Sequence, residues 1–291
     1  MQPNFKKPAI IIAVVIVVFL ASLFWAISHR QPETPPVIEA PKEVVYKVIG
    51  NSVEGRKIES YTYGEGQKHL VLVGGVHGGY EWNSIMLSYR MMDYLNKNQD
   101  TIPNNLTVTI IPNVNPDGLF KVVGKEGQFV VADVSTSTKI LSAGRFNANE
   151  VDLNRNFDCK WKPKSTWQSK TVSAGSEAFS EPEALAFKNF ISENNPTAVI
   201  FFHSQSGSVY ASQCKDGILP ETLSIMDVYA KAAGYKPVKT FDAYATSGAA
   251  DDWLASIKIP AITVELKTHE TVEWEQNLTG IKALFAYFNQ K

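Results

Sequence analysis

Apolar and polar positions fall into three successive patterns along the chain. Residues 9–27 hold no charged side chain, and Ser22 is the only plainly polar one. At about 1.5 Å per helical residue such a run matches the hydrocarbon thickness of a bilayer, roughly 30 Å. Lys6 and Lys7 precede it, which favours a cytoplasmic N-terminus. A cleaved signal peptide is the competing reading; the run is long for one, no clean small-x-small cleavage site follows, and no Cys stands nearby to carry a lipid. From Gln31 to Glu43 the chain has four prolines and few large apolar groups, the composition of an extended spacer. The predicted organisation is a cytoplasmic tail (1–8), a transmembrane anchor (9–27), a Pro-rich linker (28–43) and one large extracytoplasmic domain (44–291).

Beyond residue 43 short apolar runs alternate with helical periodicity. Val44 to Gly50 and Arg56 to Tyr63 read as strands around a turn, and His69 to Val73 as a buried strand ending in Gly74-Gly75. From Glu81 to Asn96 apolar residues recur at helical spacing (Trp82, Ile85, Met86, Tyr89, Met92, Leu95). Leu106 to Ile111 is a further strand, closed by Pro112. Ser180-Glu181-Pro182-Glu183 predicts a helix start, with Ser180 as cap and Glu183 completing a capping box. Residues 197–202 and 261–266 read as strands, and 227–233 and 280–289 as helices. This alternation predicts an α/β fold with a mixed central sheet and helices on both faces.

Composition adds exclusions. Hydrophobic residues make up 44% and charged residues 20%, and the net charge is −1, so no clustered basic excess points to nucleic acid. Cys159 and Cys214 are the only cysteines. Pairing and two free thiols both remain open, because sequence does not place their Cα atoms.

The candidate chemistry stands at strand ends. His77 follows V-L-V-G-G-V, His203 follows A-V-I-F-F, and Glu265 follows A-I-T-V. Ligands of open α/β sheets bind outside the carboxyl ends of the strands. Any one of these residues is most simply a satisfied buried polar group; three together point to a site. Glu81 lies four positions after His77, across Gly78 and Gly79, where a tight turn lets both face one ion. His77, Glu81 and His203 supply two imidazoles and a carboxylate, leaving a fourth tetrahedral position for water as a catalytic zinc ion needs. Glu265 is then the carboxylate free to take a proton. His269, in a polar loop past the strand, is the alternative ligand.

Six segments in order resemble the zinc carboxypeptidase family of the carboxypeptidase A type, over about Val44 to Phe288. G-G-V-H77-G-G-Y-E81-W resembles its first zinc motif, and N115-P-D-G118 the turn after a central strand. R145-F-N-A-N-E-V-D-L-N154-R155-N-F resembles the segment with the substrate-binding Asn-Arg pair, and F-F-H203-S the third ligand. Y244-A-T-S-G-A-A-D251-D-W resembles the tyrosine loop, and I-T-V-E265-L the catalytic-glutamate strand. One departure stands out: three residues separate His77 from Glu81, where the family usually has two.

The resemblance implies a metallocarboxypeptidase with one Zn2+ ion on His77, Glu81 and His203, and Glu265 as general base. It implies that Arg145 stabilises the oxyanion and that Asn154, Arg155 and Tyr244 hold the substrate's free C-terminal carboxylate. Asp251 falls where the family lines its specificity pocket, favouring a basic terminal side chain or the amino group of diaminopimelate; capping a helix that begins near Trp253 is the alternative. The implied partners are peptides, cell-wall stem peptides among them, and the membrane through the leader. Two other readings stay open: a related N-acyl amino acid deacylase, and a catalytically dead peptide-binding module.

Overall fold

The computed structural model describes residues 6–29 and 43–291, with side chains from Ile16 onward in the first stretch. Residues 1–5 of the predicted tail (1–8) and residues 30–42 of the predicted linker (28–43) lie outside the described residues. The chain divides into two units at Pro41. The first contains a 23-residue helix, α1 (Lys6–Ser28). Over the residues with described side chains, which in α1 begin at Ile16, no helix is long and apolar enough to cross a membrane.

The second unit is built on a mixed eight-stranded sheet. In chain order its elements are β1 (Val45–Asn51), β2 (Lys57–Tyr63), β3 (Lys68–Val73), α2 (Trp82–Lys97), β4 (Leu106–Ile111), α3 (Pro116–Val123) and α4 (Thr138–Ala143). There follow β5 (Lys164–Trp167), β6 (Lys170–Ser173), α5 (Pro182–Asn194), β7 (Ala198–Ser204), β8 (Ser208–Ala211) and α6 (Pro220–Ala233). The last are β9 (Lys236–Val238), α7 (Ala250–Ser256), β10 (Ala261–Leu266) and α8 (Trp274–Gln290). The strand order is β1-β2-β4-β3-β7-β10-β8-β9, and β5 and β6 form a separate hairpin. The centre, β4-β3-β7-β10, is parallel throughout. β7 is buried at all seven positions, as a parallel strand covered on both faces must be.

Two apolar clusters fill the two faces. One joins alternate residues of β3, β4, β7 and β10 to α2, α6 and α8 (Leu87, Met91, Tyr229, Leu278, Ile281). The other joins the opposite residues of those strands to α5 and α7 (Phe187, Phe190, Trp253, Leu254), with Leu153 and Phe157. The expected α/β class, mixed sheet and two helical layers are therefore present.

Three local readings change. Asn115-Pro116-Asp117-Gly118 is a helix start rather than a turn: the Asn115 side chain accepts a hydrogen bond from Gly118 N and opens α3. The capping box at Ser180 does not form. Its hydroxyl is engaged with Glu181 and Asn156, and α5 begins after Glu181 with no side-chain cap. The hairpin β5–β6 and the short strands β8 and β9 carry no strong alternation and were not expected.

Candidate metal centre and substrate cavity

The strand register brings the site together. β10 and β7 are parallel, with Glu265 directly beside His203. On the other side of β7, β3 runs parallel and ends at Val73, four residues before His77. The extra residue between His77 and Glu81 is taken up by a 3-10 turn, Gly78–Glu81, entered through Gly78 at φ +46°. A Cβ at Gly78 would come within 2.6 Å of Gly144 O and 2.9 Å of Gly118 Cα, so the turn needs glycine for space as well as backbone angle.

His77, Glu81 and His203 are each buried, and one ligand atom from each lies within 4.8 Å of the others. His203 Nδ1 is 2.9 Å from Glu81 Oε2, and His77 Nε2 is 4.0 Å from Glu81 Oε1. His77 Nδ1, buried and without a hydrogen bond, lies 3.5 Å from Asp152 Oδ1. Two imidazoles and a carboxylate converging this closely fit a tetrahedral zinc ion with one open position. A carboxylate behind a ligand imidazole fits as well, since it fixes the ring and its tautomer. Burial first, then the Arg145 charge, holds His77 well below its ordinary pKa, in the neutral form a metal ligand needs. At His203 burial also lowers the pKa, but the carboxylates around it, Glu81 foremost and then Glu265 and Asp251, together outweigh it and the net shift is upward. His269, the alternative ligand, is outside the trio; its Nδ1 is 2.7 Å from Ser204 Oγ.

The trio opens into a cavity of about 420 Å³, lined by every other predicted site residue. Glu265 is pushed above the usual carboxylate range, first by burial and then by the Glu81 charge. Arg145 is buried; its Nε donates to Asp152 Oδ2 at 3.0 Å, its Nη2 forms an ion pair with the same oxygen at 2.9 Å, and its guanidinium lies over the Trp167 ring at 4.6 Å. Asn115 Nδ2 donates to Arg145 O, tying the start of α3 to this arginine. Arg155 donates from Nε and Nη2 to Thr166 O and from Nη1 to Asn154 O. A guanidinium carries five N–H groups, so one on each terminal nitrogen remains for a carboxylate. Asn154 Oδ1 accepts from Ala250 N at the start of α7.

The Tyr244 loop closes on this segment through Gly248. Phe157 N donates to Gly248 O and Gly248 N to Cys159 O. A Cβ at Gly248 would lie 2.1 Å from Arg155 O. Cys159 and Cys214 form a disulfide, which resolves the alternatives left by sequence. Asp251 does not cap α7: the N-cap is Ala249, with no side-chain cap bond. Asp251 lines the cavity and its Oδ2 accepts from Thr263 Oγ1 at 3.0 Å. Asp252, read from sequence only as an alternative register, also lines the cavity, and its Oδ1 accepts from Gln213 N.

Sequence reasoning missed Asp152, Tyr80 and Trp167, and singled out His269 only as an alternative ligand, not as part of the cavity wall it forms with the last two. Tyr80 packs on Trp167 at 5.1 Å and on His269 at 4.7 Å between ring centroids. Asp152 lies two residues before Asn154 in an already singled-out segment, the one signal that pointed to it.

Two buried imidazoles and a carboxylate at the carboxyl ends of parallel strands, with a further carboxylate alongside, define a zinc hydrolase site. The zinc carboxypeptidase model matches residues 37–282, and the chain belongs to that family, whose members are peptidases using one zinc ion. The gamma-D-glutamyl-L-diamino acid endopeptidase 1 of Lysinibacillus sphaericus is 28% identical over 243 residues, 75% of this chain and 59% of that protein. Murein peptide amidase A of Escherichia coli (strain K12) is 30% identical over 155 residues, 50% of this chain and 58% of that one. The chain thus spans under two-thirds of the length of these relatives. The crystal structure of thrombin activatable fibrinolysis inhibitor shares the fold with a TM-score of 0.69 at 19% identity, over 86% of this chain and 70% of the other.

Proposed function

We propose that this chain is a metallocarboxypeptidase that hydrolyses the C-terminal peptide bond of peptides, including murein stem peptides. The observation that carries this reading is the direct pairing of Glu265 with His203 beside the His77–Glu81–His203 trio. Zinc held by that trio would supply Lewis acidity and a water of lowered pKa. Glu265 takes the proton of the attacking water and passes it to the departing amine. Arg145, its charge compensated and its plane fixed by Asp152, stabilises the developing oxyanion. Asn154, Arg155 and Tyr244 hold the terminal carboxylate and so set the scissile bond against Glu265. Asp251 and Asp252 at the cavity wall suit a terminal side chain ending in an ammonium. The names of two relatives, one acting on a gamma-D-glutamyl-L-diamino acid bond and the other on murein peptides, point to the same chemistry.

The reading extends to location. α1, about 35 Å long at 1.5 Å per residue, exposes Phe19, Leu20, Leu23, Phe24, Trp25 and Ile27. This supports a single-pass anchor over residues 9–27. The Cys159–Cys214 disulfide supports a domain outside the cytoplasm, where disulfides persist. Membrane pellets washed with alkaline carbonate should retain the full chain; its release into the supernatant would sink the anchor.

The activity is tested by mass spectrometry of peptides differing only in the terminal residue. The set comprises acetyl-Ala-Ala-X with X as Lys, Arg, Phe or Asp, and a muropeptide ending in diaminopimelate. Release of one terminal residue, lost on adding a zinc chelator, is the expected result. Cleavage of an N-acyl amino acid and of no peptide would replace this reading with a deacylase.

A further inference from the structure

The loop between β10 and α8 is fixed from both sides. Asn83 of α2, fully buried, donates from Nδ2 to Thr268 O at 2.6 Å and Thr271 O at 2.9 Å. Glu273 Oε2 accepts from Lys267 N and from Tyr235 OH, each at 2.9 Å, and Asn277 Nδ2 donates to Val272 O and Glu273 O. Glu273 itself sits at φ +37°, a left-handed conformation that a non-glycine residue keeps only when its surroundings enforce it. This framework presents one side chain to the cavity, His269.

The hydrogen-bond chain behind His269 sets its tautomer. With both Asn83 amide protons committed to carbonyls, Asn83 Oδ1 faces Ser204 Oγ at 3.0 Å as an acceptor. A hydroxyl has one proton to give. Ser204 gives it to the buried Asn83 oxygen, so the 2.7 Å contact between Ser204 Oγ and His269 Nδ1 is a bond donated by Nδ1–H. In the neutral ring Nε2 is then a bare acceptor, and no protein donor among the described residues engages it. Burial keeps the imidazole below its ordinary pKa, although the Glu81 charge opposes this.

The two ends of the cavity lie toward opposite faces of the sheet. Asp251 and the Asn154–Arg155 pair belong to the layer of α7 and Phe157, whereas the His269 loop is anchored to α2 and α8. His203 and Glu265, at the strand ends, stand between. A peptide whose leaving residue is held on the Asp251 side therefore extends its acyl portion toward His269. We infer that His269 is a specificity-determining residue whose Nε2 accepts a hydrogen bond from the first amide N–H on the acyl side of the scissile bond. This rests on the carboxypeptidase reading above.

The test is a cycle of two changes read as kcat/KM. One is His269→Ala; the other is methylation, in acetyl-Ala-Ala-Lys, of the nitrogen of the alanine next to Lys. Each change alone should lower kcat/KM about two- to tenfold, the ordinary worth of a neutral hydrogen bond. Methylation should cost the His269→Ala enzyme nothing further. His269→Gln, which keeps an acceptor oxygen, should recover part of the loss on the parent peptide only. Losses that multiply, or an unchanged His269→Ala enzyme, would overturn the inference while leaving carboxypeptidase activity intact. Failure of the wild-type protein to cleave either peptide would overturn that activity for α-linked peptides, and the inference with it.

Discussion

Arg145 and Asp152 form a buried ion pair in which Asp152 Oδ2 accepts from Arg145 Nε at 3.0 Å and lies 2.9 Å from Nη2. The other oxygen, Oδ1, lies 3.5 Å from His77 Nδ1, so one carboxylate stands beside both a metal-ligand candidate and the candidate oxyanion donor. Asp152→Asn keeps the volume and removes the charge. Loss of such an outer partner typically costs 10–100-fold in metal affinity. Competition with a chromogenic chelator should show zinc affinity falling by about that factor, together with a lower kcat. Unchanged zinc affinity would remove Asp152 from the site.

Asp251 reaches Thr263 Oγ1 and the cavity, not the start of α7. Asp251→Asn should therefore lower kcat/KM for acetyl-Ala-Ala-Lys by about tenfold or more, the cost of leaving an ammonium without its partner. The Phe-terminated peptide should change far less, and thermal stability little. An equal loss on both peptides would make Asp251 structural.

Asp252 carries a pH signature. Burial first, and then the neighbouring Asp251, pushes its carboxyl up to about 7. Between the ordinary carboxylate value and about 7 the folded protein holds a proton that the unfolded chain has lost, so the group lowers stability as pH rises through that window. Asp252→Asn should raise Tm above pH 7 by a few degrees and have little effect near pH 4. Melting curves from pH 4 to 8.5 would show the two proteins converging at the acid end. A constant offset across that range would contradict the shift.

Cys159 and Cys214 close a loop of 55 residues behind the cavity, with Gly248 N bonded to Cys159 O. Chain-entropy arguments give about 4 kcal/mol for a loop of this size. Cys159→Ser with Cys214→Ser should lower Tm by several degrees and raise KM for all substrates, because the loop behind Asn154 and Arg155 loosens. Denaturation curves of wild type and double variant, in oxidising buffer, measure this directly.

The parts of the site carried on strands were the most legible in sequence. His77, His203 and Glu265 each follow an apolar run whose burial is enforced on both faces, so the first polar residue after it had to stand at the sheet edge. Leu106 to Ile111 forms a strand over the expected residues for the same reason. Asp152 was hidden because its role is set by partners 75 residues upstream and seven residues before it, His77 and Arg145, and no periodicity records such a contact. β8 and β9 escaped because strands of four and three residues are too short to alternate, and β9 contains Pro237. The Asn115-Pro116-Asp117-Gly118 segment looked like a turn because helix caps and turns use the same residues for the same local hydrogen bond.

The most direct test of the central claim is paired measurement of zinc content and peptide release for wild type and Glu265→Gln. Both proteins should bind one zinc ion per chain. Wild type should release a single terminal residue from the peptide set, and the variant should be slower by about 10²–10⁴-fold, the usual contribution of a positioned general base. Retained turnover in the zinc-loaded variant, or a wild-type protein that binds no zinc, would contradict the assignment of Glu265 and of the His77–Glu81–His203 centre beside it.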